Sequence, residues 1–186
     1  NSAAGIVVSS ADTGLFVNTV VVHNFSDGQA AGFTGVGTPF MMLRNCTIAG
    51  NSSNGVKTTS GPQASLESCI VWGNDGAYQV SNCVVQFCDV EGGYPGGFNI
   101  TNYPMFAAPT MDDFSLLDGS PCIDKGMTIA SVTNDCVGDP RPYGTGWDMG
   151  AYEFVPEPGV AAGVLLALLF SRARPKLAPS PRSCKF

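Results

Sequence analysis

Trp72, Asp75, Asp89 and Glu91 are the side chains in this sequence whose types and spacing best suit a ligand. An aromatic face beside carboxylates suits a sugar, whose C–H face packs on the ring while its hydroxyls donate to the acids. The same three acids are hard oxygen ligands and form a candidate weak Ca²⁺ site; no other cofactor is expected. Hydrolysis of a glycoside needs two carboxylates about 5–10 Å apart. Asp112-Asp113 is the one adjacent acidic pair, and neighbouring strand residues point to opposite faces. A lyase needs a basic proton acceptor within an acidic cluster, yet before Lys125 the cations are Arg44 and Lys57 alone, neither among acids. No nucleophile–base set stands out for Ser or Cys chemistry, and no catalytic residue is assigned. The one histidine, His23, is far in sequence from most of the seven cysteines, so a Cys/His metal centre is not expected.

These residues are positioned by a repeat. Thr19-Val20-Val21-Val22-His23-Asn24 aligns with Cys46-Thr47-Ile48-Ala49-Gly50-Asn51 and with Cys69-Ile70-Val71-Trp72-Gly73-Asn74, and more loosely with Cys88-Asp89-Val90-Glu91-Gly92-Gly93. The first positions are 27, 23 and 19 residues apart, a solenoid period. Within each phrase the first and third residues share a strand face and are small or β-branched. The Gly-Asn or Gly-Gly that follows tolerates left-handed backbone and turns a corner. A strand, a corner and a return after about 22 residues describe one coil of a parallel β-helix, with equivalent side chains stacked about 4.8 Å apart.

Cys46, Cys69 and Cys88 then form an interior ladder of small apolar side chains, since parallel Cβ vectors suit a disulfide poorly. Asn24, Asn51 and Asn74 form a candidate amide ladder at the corner. His23 reads as a solvated turn residue, and Trp72 points outward. Asn24, Asn45 and Asn51 also match Asn-x-Ser/Thr.

Charge is distributed unevenly. Through Phe154 four Lys/Arg face 14 Asp/Glu, a net of −10, whereas the remainder carries five basic residues and one acid, a net of +4. An acidic body without a basic, aromatic stripe disfavours nucleic acid. Only 13% of residues are charged, and 23 Gly with 13 Pro favour short strands and turns. The sequence opens on Asn1 rather than Met and reads as a C-terminal piece of something longer.

After Gly93 the rhythm stops. "SCIVWGN", "DVEGG", "DFSLLDGSPCIDKG", "GDPRP" and "DMGAYEF" occur in that order over about residues 40–154. In this combination the chain resembles bacterial surface proteins with a right-handed parallel β-helix and a choice-of-anchor Q C-terminal module. The resemblance implies an all-β right-handed parallel β-helix over 1–93, a capping segment over 94–154, and no catalytic residues to carry over. Val137 departs from it, standing where an acid often precedes the Gly of the "GDPRP" turn. In the capping segment Arg141 is expected to pair with Asp124 or Asp148, with Trp147 and Tyr152 lidding the last coil. Cys122 and Cys136 are the candidate disulfide pair, the alternative for Cys122 being inward packing.

Residues 155–186 start with Val155-Pro156-Glu157-Pro158, which cannot continue a ladder. An uncharged apolar run, Gly159 to Phe170, follows, then Arg172, Arg174 and Lys176. The arrangement resembles the PEP-CTERM sorting signal, although here the chain runs on past the arginines. That resemblance implies a short apolar C-terminal helix, an exosortase-type transpeptidase as partner, and an exported domain held transiently at the membrane by its tail. The expectation is therefore a non-enzymatic surface or matrix protein whose β-helix contacts polysaccharide. The alternative is the end of a polysaccharide lyase or glycoside hydrolase whose catalytic coils lie upstream.

Overall fold

A computed structural model describes residues 5–9, 13–26, 32–37, 40–59 and 64–157. The first rung of the chain comprises β1 (Ile6–Ser9), β2 (Thr13–Val17) and β3 (Val20–Val22); the second, β4 (Phe33–Val36), β5 (Phe40–Arg44) and β6 (Thr47–Ala49). The third comprises β7 (Val56–Thr58), β8 (Ala64–Glu67) and β9 (Ile70–Trp72); the fourth, β10 (Val80–Ser81), β11 (Cys83–Gln86) and β12 (Asp89–Val90). Like strands of successive rungs pair in parallel, giving three sheets ordered β1-β4-β7-β10, β2-β5-β8-β11 and β3-β6-β9-β12. The result is an all-β parallel solenoid, three turns leading from the first rung to the fourth.

The repeated phrase is the third sheet. Val21 pairs with Ile48, Ile48 with Val71, and Val71 with Val90, so the register places these four inward residues in one column. Cys46, Cys69 and Cys88 stand one residue earlier in the chain than Thr47, Ile70 and Asp89, which pair across the sheet, and all three thiols are fully buried and free. Burial pushes the Cys46 and Cys69 thiols well above the ordinary range, so they remain neutral. Each strand of this sheet is bracketed by left-handed residues. Asn18, Asn45, Ser68 and Phe87 precede the strands with φ of 49°, 46°, 56° and 53°. His23, Gly50, Gly73 and Gly92 follow them at 54°, 63°, 67° and 76°. A bend of this kind needs positive φ, which Gly and Asn adopt at least cost.

Asn24, Asn51 and Asn74 stack at the second bend. Asn24 Nδ2 donates to Asn51 Oδ1 (3.0 Å), Asn51 Nδ2 to Asn74 Oδ1 (2.7 Å), and Asn74 Nδ2 to Gln79 Oε1 (2.7 Å). The same acceptors take the backbone N–H groups of Asn24 and Asn51, and Asn51 Nδ2 also donates to Val21 O (3.0 Å). Asn45 and Asn51 are fully buried, so neither side chain is accessible to a glycosylating enzyme.

Residues 91–103 close the tube. Tyr94 Oη bonds both the N–H and the carbonyl of Cys83 (3.2 Å each), Asn99 Oδ1 accepts from Cys88 N (3.0 Å), and Phe98 stacks on Phe87 with centroids 4.6 Å apart. The last rung is therefore sealed here, and not by Trp147 and Tyr152 as expected. The later segment lies along the side of the solenoid instead. It holds β13 (Phe106–Ala108) antiparallel to β14 (Asp113–Leu116), joined by a 3₁₀ turn over Pro109–Met111, and then irregular chain. This segment covers the outer face of the third sheet: Phe106, Phe114, Leu116, Met149, Ala151 and Tyr152 form one buried cluster with Val20, Ala49 and Ile70.

Polar contacts fasten it to each rung. Asn18 Nδ2 donates to Asn134 O (2.6 Å) and Asn45 Nδ2 to Asp148 O (3.0 Å). Thr47 Oγ1 accepts from Ala151 N (2.9 Å), and Ser68 accepts from Gly150 N and Met127 N (2.8 and 2.7 Å). Gly150 fits by lacking a side chain: a Cβ there would sit 2.7 Å from Ile70 Cδ1.

Two expected pairings in this segment are corrected. Cys122 is a free, fully buried thiol, so the Cys122–Cys136 disulfide does not form, although Cys136 is disulfide-bonded. Cys122 packs inward because its Sγ finds Asp89 Oδ2 at 3.2 Å. Arg141 pairs with Glu153 (Nη1–Oε2 2.9 Å), not with the carboxylate of Asp124 or Asp148. Those carboxylates are committed to backbone N–H groups, Asp124 to Gly146 and Asp148 to Asp124 and Phe154. Arg141 also donates to the carbonyls of Asp148 (3.1 Å) and Gly150 (2.8 Å). Trp147 Nε1 donates to Val132 O (3.1 Å), and Tyr152 is buried against the third sheet.

Pro156 and Glu157 are exposed. Pro158, Arg172, Arg174 and the expected C-terminal helix lie outside the described residues. Among the described residues no helix is long and apolar enough to cross a membrane.

Candidate functional site

Where β13 and its 3₁₀ turn lean on the corners after β3, β6 and β9, a cleft of about 200 Å³ opens. His23, Gly50, Trp72, Tyr103, Phe106 and Phe114 line most of it. Trp72 and Tyr103 meet edge to face, centroids 6.0 Å apart at 70°, and Tyr103 is 54% exposed. His23 is half-exposed but is not simply solvated: its Nδ1 lies 2.8 Å from Asp112 Oδ1 and its ring 5.6 Å from that of Phe114. Gly50 leaves room for that ring, since a Cβ would fall 2.7 Å from His23 Cδ2. Asp112 sits at φ 60° at the end of the 3₁₀ turn, so the Asp112-Asp113 pair is split by a bend before β14 begins.

A second cleft, of about 290 Å³, lies between the loops 76–80 and 90–94 and is lined by Tyr78, Gln79, Glu91 and Tyr94 among others. Glu91 joins the two: it lines the second, and its Oε2 accepts from the N–H of Gly73 (2.8 Å), which lines the first.

The four residues expected to meet a ligand are therefore only partly gathered. Trp72 and Glu91 come together across Gly73. Asp75 is exposed but lines neither cleft. Asp89 is fully buried beneath the C-terminal segment, with Oδ2 facing the Cys122 thiol and Oδ1 without a hydrogen-bond partner. Asp75, Asp89 and Glu91 accordingly make no Ca²⁺ site; among the described residues no group of three or more His, Cys, Asp or Glu is placed to hold a metal. Tyr103, Tyr78 and Phe114 were missed by sequence reasoning. Tyr103 and Phe114 come from the segment that folds back, and no local pattern links them to Trp72.

Asp89 makes a pH prediction. Desolvation raises its carboxyl to about 6, so the folded protein keeps a proton that the unfolded chain releases near pH 4. The folded state binds more protons through that window, and stability falls as pH rises from about 4 to about 6. Asp89→Asn keeps shape and removes the charge. Denaturant titrations at pH 4 and pH 7 should show a smaller pH difference for the variant, by on the order of 2 kcal/mol. An unchanged slope refutes the assignment.

A family model described as the right handed beta helix region matches residues 1–113. The chain belongs to this right-handed β-helix family. Searches of curated proteins and of solved structures returned no match. The family match spans the four rungs and most of the Trp72–Tyr103 cleft lining, and ends at Asp113, within the hairpin that forms the cleft wall. The β-helix supplies the corner that carries Trp72; the chain beyond the match supplies Phe114, and with it the rest of that wall.

Proposed function

We propose that this β-helix is an exported, non-enzymatic surface or matrix scaffold that contacts carbohydrate at the Trp72–Tyr103 cleft. The observation that carries the reading is the exposed ring of Tyr103 set edge to face against Trp72 in an open, aromatic-lined cleft. Sugar C–H faces pack on such rings while hydroxyls meet the polar rim, here Glu91 and the His23–Asp112 pair. The motif residues of the C-terminal segment support a structural role for it: Ser120, Asp124, Asp148 and Glu153 each hold backbone groups. Under the PEP-CTERM resemblance the tail addresses the protein to an exosortase-type enzyme at the membrane, and the acidic body stands outside the cell.

Calorimetric titration with neutral oligosaccharides tests the cleft. Tyr103→Ala and Trp72→Ala are each expected to weaken binding about tenfold, the equivalent of about 1.4 kcal/mol. Tyr103→Ala, at an exposed position, should leave the melting temperature nearly unchanged. Equal affinity of wild type and both variants rejects the reading.

A further inference from the structure

Building on the carbohydrate reading, we infer that the ligand is an uncharged glycan chain, lying across Glu91 from the Trp72–Tyr103 cleft into the cleft at Tyr78 and Tyr94. Three observations support this. First, one contact links the linings of the two clefts, Glu91 Oε2 with Gly73 N at 2.8 Å. Second, the first cleft is smaller than the roughly 300–1,000 Å³ of a pocket that encloses a whole small ligand and the second sits at its lower edge, so each suits a short stretch of polymer. Third, the second cleft also presents an exposed tyrosine, in a more polar lining: Tyr78 is 64% exposed, as Tyr103 is 54% exposed, and Gln79 and Glu91 lie beside it.

Charge selects the class of glycan. No lysine or arginine lines either cleft among the described residues, while Glu91 lies between them and Asp112 flanks the first. The body as a whole carries a net charge of −10 through Phe154. A polyuronate would bring further carboxylates within a Debye length of these acids, about 8 Å at physiological ionic strength, with no lysine or arginine in either lining to receive them. Neutral sugars meet no such penalty, and their hydroxyls donate to the Glu91 carboxylate.

The test uses the whole chain and oligomers of one to five residues: glucose, mannose and xylose series, and galacturonate oligomers of the same lengths. A neutral series should gain at least about tenfold in affinity between the disaccharide and the pentasaccharide, and the galacturonates should not bind. Tyr78→Ala should abolish that gain while leaving disaccharide affinity and melting temperature unchanged. Affinity independent of length, a Tyr78→Ala variant that keeps the gain, or preferential binding of galacturonates each overturns the inference while leaving the cleft reading standing. Failure of every series to bind overturns both.

Discussion

Replacing Arg141 with alanine is expected to lower the melting temperature by about 10 °C, the largest loss from any single side chain in the C-terminal segment. Arg141 and Glu153 are fully buried at their side chains and bonded at 2.9 Å. Removing one partner of such a pair strands the other charge, which costs about 3–5 kcal/mol. For a domain of this size each kcal/mol moves the midpoint by about 2–4 °C. The guanidinium also satisfies the carbonyls of Asp148 and Gly150, which are left bare in the variant. Glu153, in turn, accepts from the N–H groups of Tyr143 and Asp148, so the whole turn between them loosens. A double variant, Arg141→Met with Glu153→Gln, should recover a large part of the loss, because it strands no charge. Binding of glycan by molecules still folded should be unaffected. A single variant that melts at the wild-type temperature contradicts the assignment.

Asn51→Ala is expected to rank next, at about 3 kcal/mol. Asn51 is fully buried in the middle of the amide ladder. Its Oδ1 receives the backbone and side-chain N–H groups of Asn24, and its Nδ2 serves Asn74 Oδ1 and Val21 O. Each buried group left without a partner costs about 1–3 kcal/mol. Asn24→Ala, at the end of the ladder, frees fewer groups and should cost about 1 kcal/mol. Denaturant unfolding of both variants measures the ratio; equal losses contradict a ladder in which Asn51 carries more bonds than Asn24.

The third sheet was legible because its phrase is bounded by residues that accept positive φ and filled with β-branched or small ones. The other two strands of each rung were not singled out, though they leave a trace. Met41 and Leu43, Ala64 and Leu66, and Cys83 and Val85 alternate inward just ahead of the phrase. Lacking a glycine corner, such runs look like any half-buried strand.

The position of the C-terminal segment also has a signal in the repeat. Val20, Thr47 and Ile70 occupy one outward position in the first three copies of the phrase and none is charged; the fourth copy has Asp89 there. A strand apolar on both faces is covered on both faces. The partner of Arg141 was not readable, because Asp124, Asp148 and Glu153 are all nearby acids, and only the fold assigns the first two to backbone N–H groups. Asp135 was missed for a similar reason. Its Oδ1 receives the N–H groups of Val137, Gly138 and Asp139, which lets the "GDPRP" turn do without an acid at Val137. Within the candidate site, Trp72 and Glu91 were visible from the repeat, whereas Tyr103 and Phe114 reach it by tertiary folding alone.

A stack whose rungs touch only their neighbours can fray from an open edge, one rung at a time, because each rung's stability is local. Here a single stretch of chain is bonded at once to Asn18, Asn45, Ser68 and Asp89, one residue from each rung. Losing any rung tears contacts from a strap that the other three share. The solenoid is therefore expected to melt as one all-or-none unit rather than to open from its weakest rung.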